Sequence, residues 1–311
     1  MRILVTGGSG FLGTNLINYL LKDKKNKVFS IDSKTINPNT INKIRDIESF
    51  KLDLNNKKLI NILKEIEPEL IFNLAAESQV LKSSDNPFGT YKSNIFGTVN
   101  LLESLRLLDL NPKVIHASTD KVYGISNKLP YKENYKLSSS FTYDVSKISA
   151  DLIAQNYKEI YGLDINIFRS SNIYGPADLN FDRLIPHIIK FLLNKKKPII
   201  RSNGKFLREY IYVNDLIRYL MILSKNKSDE YIFNIGSGQV YSVEEVFKNL
   251  SSLLGSKTKP LILDQKLFEI PSQSIDMKKF KSTFNPNFPI TNLKNGLAKT
   301  ISWYKEYFGK I

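Results

Sequence analysis

Seven residues near the start of the chain, Gly7-Gly8-Ser9-Gly10-Phe11-Leu12-Gly13, separate the apolar run Ile3-Leu4-Val5-Thr6 from a helically periodic stretch, Phe11 to Leu21. They satisfy both Gly8-x-Gly10-x-x-Gly13 and Gly7-x-x-Gly10-x-x-Gly13. Between a strand and a helix, such glycines allow a tight turn, close approach of backbone to a pyrophosphate, and close helix–strand packing. The helix N-terminus adds oriented amides and partial positive charge. The following chain keeps the same alternation. Lys27–Ile31, Phe50–Leu52, Leu70–Leu74, Val114–Ala117 and Ile165–Phe168 read as strands, with helical stripes over Leu59–Ile66, Pro87–Leu108 and Ser146–Tyr161. Strands alternating with helices of this length pair in parallel through right-handed crossovers, so an α/β doubly wound parallel sheet is expected. The later chain, punctuated by prolines from Pro176 to Pro289, reads as a smaller, mixed C-terminal region. We expect a cofactor-binding domain over 1–175, with a strand near 231–235 returning to its sheet, and a substrate region over 176–311.

Asp32 closes the second strand, where an acidic side chain accepts hydrogen bonds from an adenosine ribose and repels a 2′-phosphate. The expected cofactor is therefore NAD, held by Gly7, Gly10, Phe11, Leu12, Gly13 and Asp32. Asp53 and Leu54 follow the third strand and are placed to meet the adenine. Ala75 and Ala76 follow the fourth, where small side chains let a cofactor cross the sheet edge.

Two polar clusters suggest chemistry. Ser118-Thr119-Asp120-Lys121 follows the fifth strand, and Tyr143 and Lys147 share one face at the start of a helix. An ammonium beside a phenol favours phenolate, and a phenolate can take a hydroxyl proton while hydride leaves the same carbon. An acid and a potential base close by imply that oxidation is only the first step. Other chemistries are excluded by composition. There is no cysteine, and with only His116 and His187 no metal centre is expected. The formal charge of +15 is mostly scattered lysine without a reading motif or stacking aromatics, so nucleic acid is not an expected partner. A first strand beginning at the N-terminus leaves no room for a signal peptide, and no apolar run reaches the length of a membrane span. A cytoplasmic protein is expected.

These segments resemble the extended short-chain dehydrogenase/reductase family, in its nucleotide-sugar epimerase and dehydratase branch. The likeness runs through Asn73-Leu74-Ala75-Ala76-Glu77-Ser78-Gln79-Val80, Asn94-Ile95-Phe96-Gly97-Thr98, Tyr143-Asp144-Val145-Ser146-Lys147, Arg169-Ser170-Ser171-Asn172-Ile173-Tyr174-Gly175-Pro176 and Arg208-Glu209-Tyr210-Ile211-Tyr212-Val213-Asn214-Asp215. The resemblance implies a Rossmann sheet, NAD, a nucleoside-diphosphate sugar as substrate, and a homodimer through two-helix faces. Thr119-Asp120-Lys121 looks most like the cluster of cytidine-diphosphoglucose and some acetamido-sugar 4,6-dehydratases. It implies proton transfer by Tyr143 at the 4-hydroxyl, orientation of that hydroxyl by Thr119 or Ser118, and acid catalysis by Asp120 at the 6-hydroxyl. Lys121 would be the C5 base, its proton displaced by burial beside other cations, or an electrostatic stabiliser. Lys147 would also hold the nicotinamide ribose. Asn172 and Arg208 match positions that contact the diphosphate or base, with Arg183 and Arg201 as further candidates. Relatives carry an arginine near 270–276, where this chain has Glu269-Ile270-Pro271-Ser272-Gln273-Ser274. Rival readings are an NAD-dependent nucleotide-sugar 4-epimerase and a non-catalytic NAD-sensing protein.

Overall fold

The computed structural model describes residues 1–40, 46–126, 128–265 and 270–309. Strands β1 (Arg2–Thr6), β2 (Lys27–Asp32), β3 (Ile47–Lys51), β4 (Leu70–Asn73), β5 (Lys113–Thr119) and β6 (Ile165–Ser170) alternate with helices α1 (Phe11–Leu20), α2 (Leu59–Ile66), α3 (Val80–Asp85), α4 (Pro87–Tyr91), α5 (Gly97–Leu107) and α6 (Thr142–Tyr161). Four short pieces follow on the way to the return strand: β7 (Asn172–Tyr174), α7 (Leu184–Leu193), β8 (Ile199–Ile200) and β9 (Leu207–Tyr212). Next come α8 (Val213–Lys225), β10 (Ile232–Ile235), β11 (Val240–Ser242), α9 (Val243–Leu253), β12 (Leu261–Ile262), β13 (Ser272–Gln273), α10 (Lys278–Phe284) and α11 (Leu293–Gly309). The main sheet has seven strands in the order β10-β6-β5-β4-β1-β2-β3, and every pair in it is parallel. This is the Rossmann arrangement. A second sheet, β11-β9-β13 with β7 on β9, mixes antiparallel and parallel pairs.

Successive strand side chains face opposite ways, and the two cores divide accordingly. Ile3, Val5, Phe72, Ile115 and Phe168 pack with α1 and α8. Leu4, Ile71, Val114, Ile165 and Ile167 pack with α2, α5 and α6. Strands buried on both faces are near-continuous apolar runs. A third core joins α7, α9 and α11 to β9.

The observed elements are longer than the apolar runs that announce them. β5 extends through Ser118 and Thr119, because its ladder with β6 continues as Ser118 against Arg169 and Thr119 against Ser170. α6 begins at Thr142, so Tyr143 lies in its first turn. Between α4 and α5 the backbone widens into a π-helical turn, Lys92–Phe96. Among the described residues, no helix is long and apolar enough to cross a membrane.

Candidate active site

The candidates that follow β1 to β5 lie at the carboxyl edge of the main sheet, where ligands of doubly wound folds bind. Gly7 has φ +72°, and a Cβ there would stand 2.8–2.9 Å from the backbone of Leu74 and Ala75. No larger residue fits without displacing the loop after β4. Gly10 precedes α1 without a side-chain cap, and the first turn has no acidic residue. Its leading amides are thus left to an anion. By contrast α9 begins with a complete Ser242–Glu245 capping box that occupies its own amides. Asp32 accepts hydrogen bonds from the Ser9 N–H (3.0 Å) and hydroxyl (2.6 Å), tying the end of β2 to the glycine loop. Ala75 and Ala76 are half-buried just beyond β4. Asp53 is exposed and accepts from the Asn55 N–H (2.8 Å), while Leu54 is buried in the core, with α5 alongside at Gly97. Together the glycine turn, the uncapped helix and Asp32 fit an adenine dinucleotide.

Strand alternation separates Ser118 from Thr119. Ser118 points beneath α6 and donates to Asp151 (2.6 Å), which also receives a two-pronged bond from the buried Arg169 (2.9 Å for each contact). That pair holds the Asp151 carboxyl below its ordinary range. Ser118 thus belongs to the support behind the site. Thr119 lies on the other side and donates to Asp120 (3.3 Å). Asp120 opens a short 3₁₀ turn, Asp120–Tyr123. Its side chain is almost wholly buried, and among the described residues Oδ2 has no hydrogen-bond partner. Burial pushes its pKa up to about 6, against opposing pulls from Lys121 and Arg208.

Tyr143 differs from the sequence expectation. Burial and the Asp144 carboxylate raise its phenol above the ordinary range, and Arg183 and a Thr119 hydrogen bond only partly offset them. Lys147 Nζ donates to the Ala117 carbonyl (2.6 Å), and burial lowers its pKa to about 8. The charge of Lys121 acts on the Asp120 and Asp144 carboxyls.

Of the second-region candidates, two reach the cluster. Arg208 is buried, donates to the Leu207 (2.9 Å) and Pro271 (3.2 Å) carbonyls, and its charge bears on Asp120. Arg183 bridges Asp178 and Ser78 (both 3.1 Å), lies over the Phe11 ring, and bears on Tyr143. Asn172 donates to the Glu209 carbonyl (3.4 Å). Arg201 pairs with Asp182 at 3.7 Å, with both side chains well exposed. Glu269 lies outside the described residues. Ile270 and Gln273 are buried, and the Gln273 amide has no partner among the described residues.

Sequence reasoning passed over three contributors. Glu209 is fully buried and accepts from the N–H groups of Ser237, Gly238 and Ile275 (2.7–2.9 Å), clamping the strand that carries Arg208. Asn94, in the π-helical turn, accepts from the Glu77 N–H (2.7 Å) and donates to Ser146 (2.8 Å). Asp144 is buried beside Tyr143 and accepts from Ser139 (2.8 Å). Its available signal was an acid directly after the tyrosine, in the first turn of a helix.

A family model described as GDP-mannose 4,6 dehydratase matches residues 4–284. The chain belongs to that family. The UDP-glucuronate 4-epimerase of Thermodesulfobacterium geofontis is 30% identical over 314 residues, covering 97% of this chain and 96% of that protein. The UDP-glucose 4-epimerase of Thermotoga maritima, solved with UDP-glucose, has a TM-score of 0.92 at 26% identity, covering 99% of this chain and 100% of that one. The dTDP-glucose 4,6-dehydratase of Streptomyces venezuelae, solved with NAD and TYD bound, has a TM-score of 0.90 at 28% identity, covering 100% and 98%. Membership thus sets the chain among nucleotide-sugar dehydratases and epimerases, and the relatives divide between those two reactions.

Proposed function

We propose that this protein is a nucleoside-diphosphate-sugar 4,6-dehydratase that works with bound NAD. The observation that carries the reading is Asp120: a buried carboxyl with an unpartnered oxygen and a pKa raised to about 6 is suited to donate a proton. Epimerisation at C4 needs no acid at the 6-hydroxyl. Elimination does.

The glycine turn and Asp32 would hold NAD, which when bound would accept hydride from sugar C4 and return it to C6. Tyr143, as the phenolate that the positive charge of bound NAD would favour over the buried neutral phenol, takes the 4-hydroxyl proton, with Thr119 orienting that group. The resulting ketone acidifies C5–H. Asp120 gives its proton to the departing 6-oxygen, releasing water, as the C5 proton leaves either to Lys121 or to a solvent base with Lys121 stabilising the enolate. The same base returns a proton to C5 as C6 is reduced. Tyr143 sheds one proton to solvent and Asp120 takes one up, so the cycle balances. Arg208 and Asn172 would bind the diphosphate end, with Arg183 beside the cofactor.

A homodimer is part of the proposal. Phe88, Phe96 and Leu107 on the helical stretch 87–107, and Leu152, Ile160 and Tyr161 on α6, are exposed apolar residues. A second copy would cover them.

The competing reading, a nucleotide-sugar 4-epimerase, is favoured by the two epimerases just described. Asp120→Asn in the NAD-loaded enzyme separates the two across a panel of nucleoside-diphosphate sugars. Oxidation at C4 without elimination should build up NADH absorbance. Normal turnover to a product that keeps its 6-hydroxyl would establish the epimerase instead.

A further inference from the structure

A cavity of about 460 Å³ opens on the surface away from the cluster just described, between the chain around Pro130 and the start of α10. It shares no residue with the glycine loop, the Thr119–Lys121 turn, α6 or the arginines discussed above. Three lysines line it: Lys132 from one side, Lys278 and Lys281 from the other. All three are exposed, and among the described residues no carboxylate lies within ion-pair distance of any of them. One acid, Asp276, also lines the cavity, where it accepts from the Lys278 N–H (2.8 Å); of the acids nearby, Glu133 accepts from the Asn234 N–H (2.9 Å) and Glu230 pairs with Lys279. Pro130, Tyr135 and Met277 give the same cavity an apolar and aromatic lining.

Three lysines against the one carboxylate of Asp276 leave the concavity net positive, and a polyanion would relieve the repulsion among the lysines. The volume falls within the usual range for small-molecule sites, in which apolar walls combine with a few placed polar groups. We propose that this cavity is a second ligand site, for a nucleoside polyphosphate: phosphates among Lys132, Lys278 and Lys281, the base against Tyr135, Pro130 and Met277.

The cavity wall leads towards the catalytic cluster. Tyr131 and Ile275 form a bridge in that wall, closed by Tyr131 N–H to the Ser274 carbonyl (2.9 Å) and Asp276 N–H to the Tyr131 carbonyl (2.8 Å). The buried Tyr131 ring stacks on Tyr123 at 5.0 Å. Gly238, also in the lining, donates to Glu209, the residue next to Arg208. Occupancy would therefore bear on the strand that presents Arg208 to Asp120.

The test is calorimetric titration of the NAD-loaded protein with ATP, beside arms with inorganic pyrophosphate and adenosine. ATP should bind, and K132Q/K278Q/K281Q should lose at least tenfold in affinity while keeping its NAD content and thermal stability. Lys132→Gln alone, on an exposed side chain, serves if the triple variant fails to fold, and should weaken ATP severalfold. No ATP binding, or equal affinity in parent and variant, would overturn the site. Pyrophosphate binding as tightly as ATP would overturn the nucleoside assignment.

Discussion

At the residue scale, the proposed function depends on side chains, Asp120, Tyr143 and Lys147, for which burial is the largest cause of the shift in ionisation. Tyr143 and Lys147 were legible from spacing alone, as was their position early in a helix. What spacing could not show is that Lys147 spends its hydrogen bond on the Ala117 carbonyl and that burial raises the phenol. Both follow from depth beneath the surface, which a linear pattern does not encode. Tyr143→Phe removes only the phenolic oxygen and should lower turnover by ~100- to 10,000-fold with NAD still bound; stopped assays alongside cofactor content would measure this. Asp120 yields a second expectation, about stability. Its folded pKa of about 6 lies above the ordinary 3.8, so the native state holds the proton more tightly than the unfolded chain does. Ionised Asp120 therefore opposes folding, and this cost appears as pH rises from about 4 through about 6. Asp120→Asn should be stabilised relative to the parent at pH 7–8, by up to about 3 kcal/mol, and the gain should vanish near pH 3.5. Denaturant melts at the two pH values check the sign.

At the element scale, apolar runs located the strands but not their polar ends. Ser118 and Thr119 extend β5 because backbone pairing with β6 continues past the last apolar residue. Strand parity then sends one hydroxyl under α6 and the other towards Asp120, which is why the proposal gives the orienting role to Thr119. The π-helical turn was not legible, since Leu101, Leu105 and Leu108 make an ordinary helical stripe. The turn places Asn94 where it ties the segment after β4 to the start of α6. Asn94→Ala would leave the half-buried Glu77 N–H without its partner and cost about 2 kcal/mol. It should also lower kcat, because the Ser146 contact lies one turn from Tyr143. Thermal melts with paired kinetics test both parts.

At the scale of the whole molecule, the alternation of strands and helices and the glycine turn carried the fold class. The small mixed sheet was less legible, because β11 and β13 are two or three residues long and gain their place from β9 rather than from any pattern of their own. The proposed dimer is tested by changing the exposed Phe88 and Phe96 to Asp, which should yield a monomer by sedimentation while the monomer fold persists. The central claim is the loss of water. NAD-loaded parent enzyme incubated in deuterated water with a panel of nucleoside-diphosphate sugars should convert at least one to a 4-keto-6-deoxy product, lighter by one water before deuterium is counted and carrying deuterium at C5. A product of unchanged composition, inverted at C4 and still bearing its 6-hydroxyl, would contradict it.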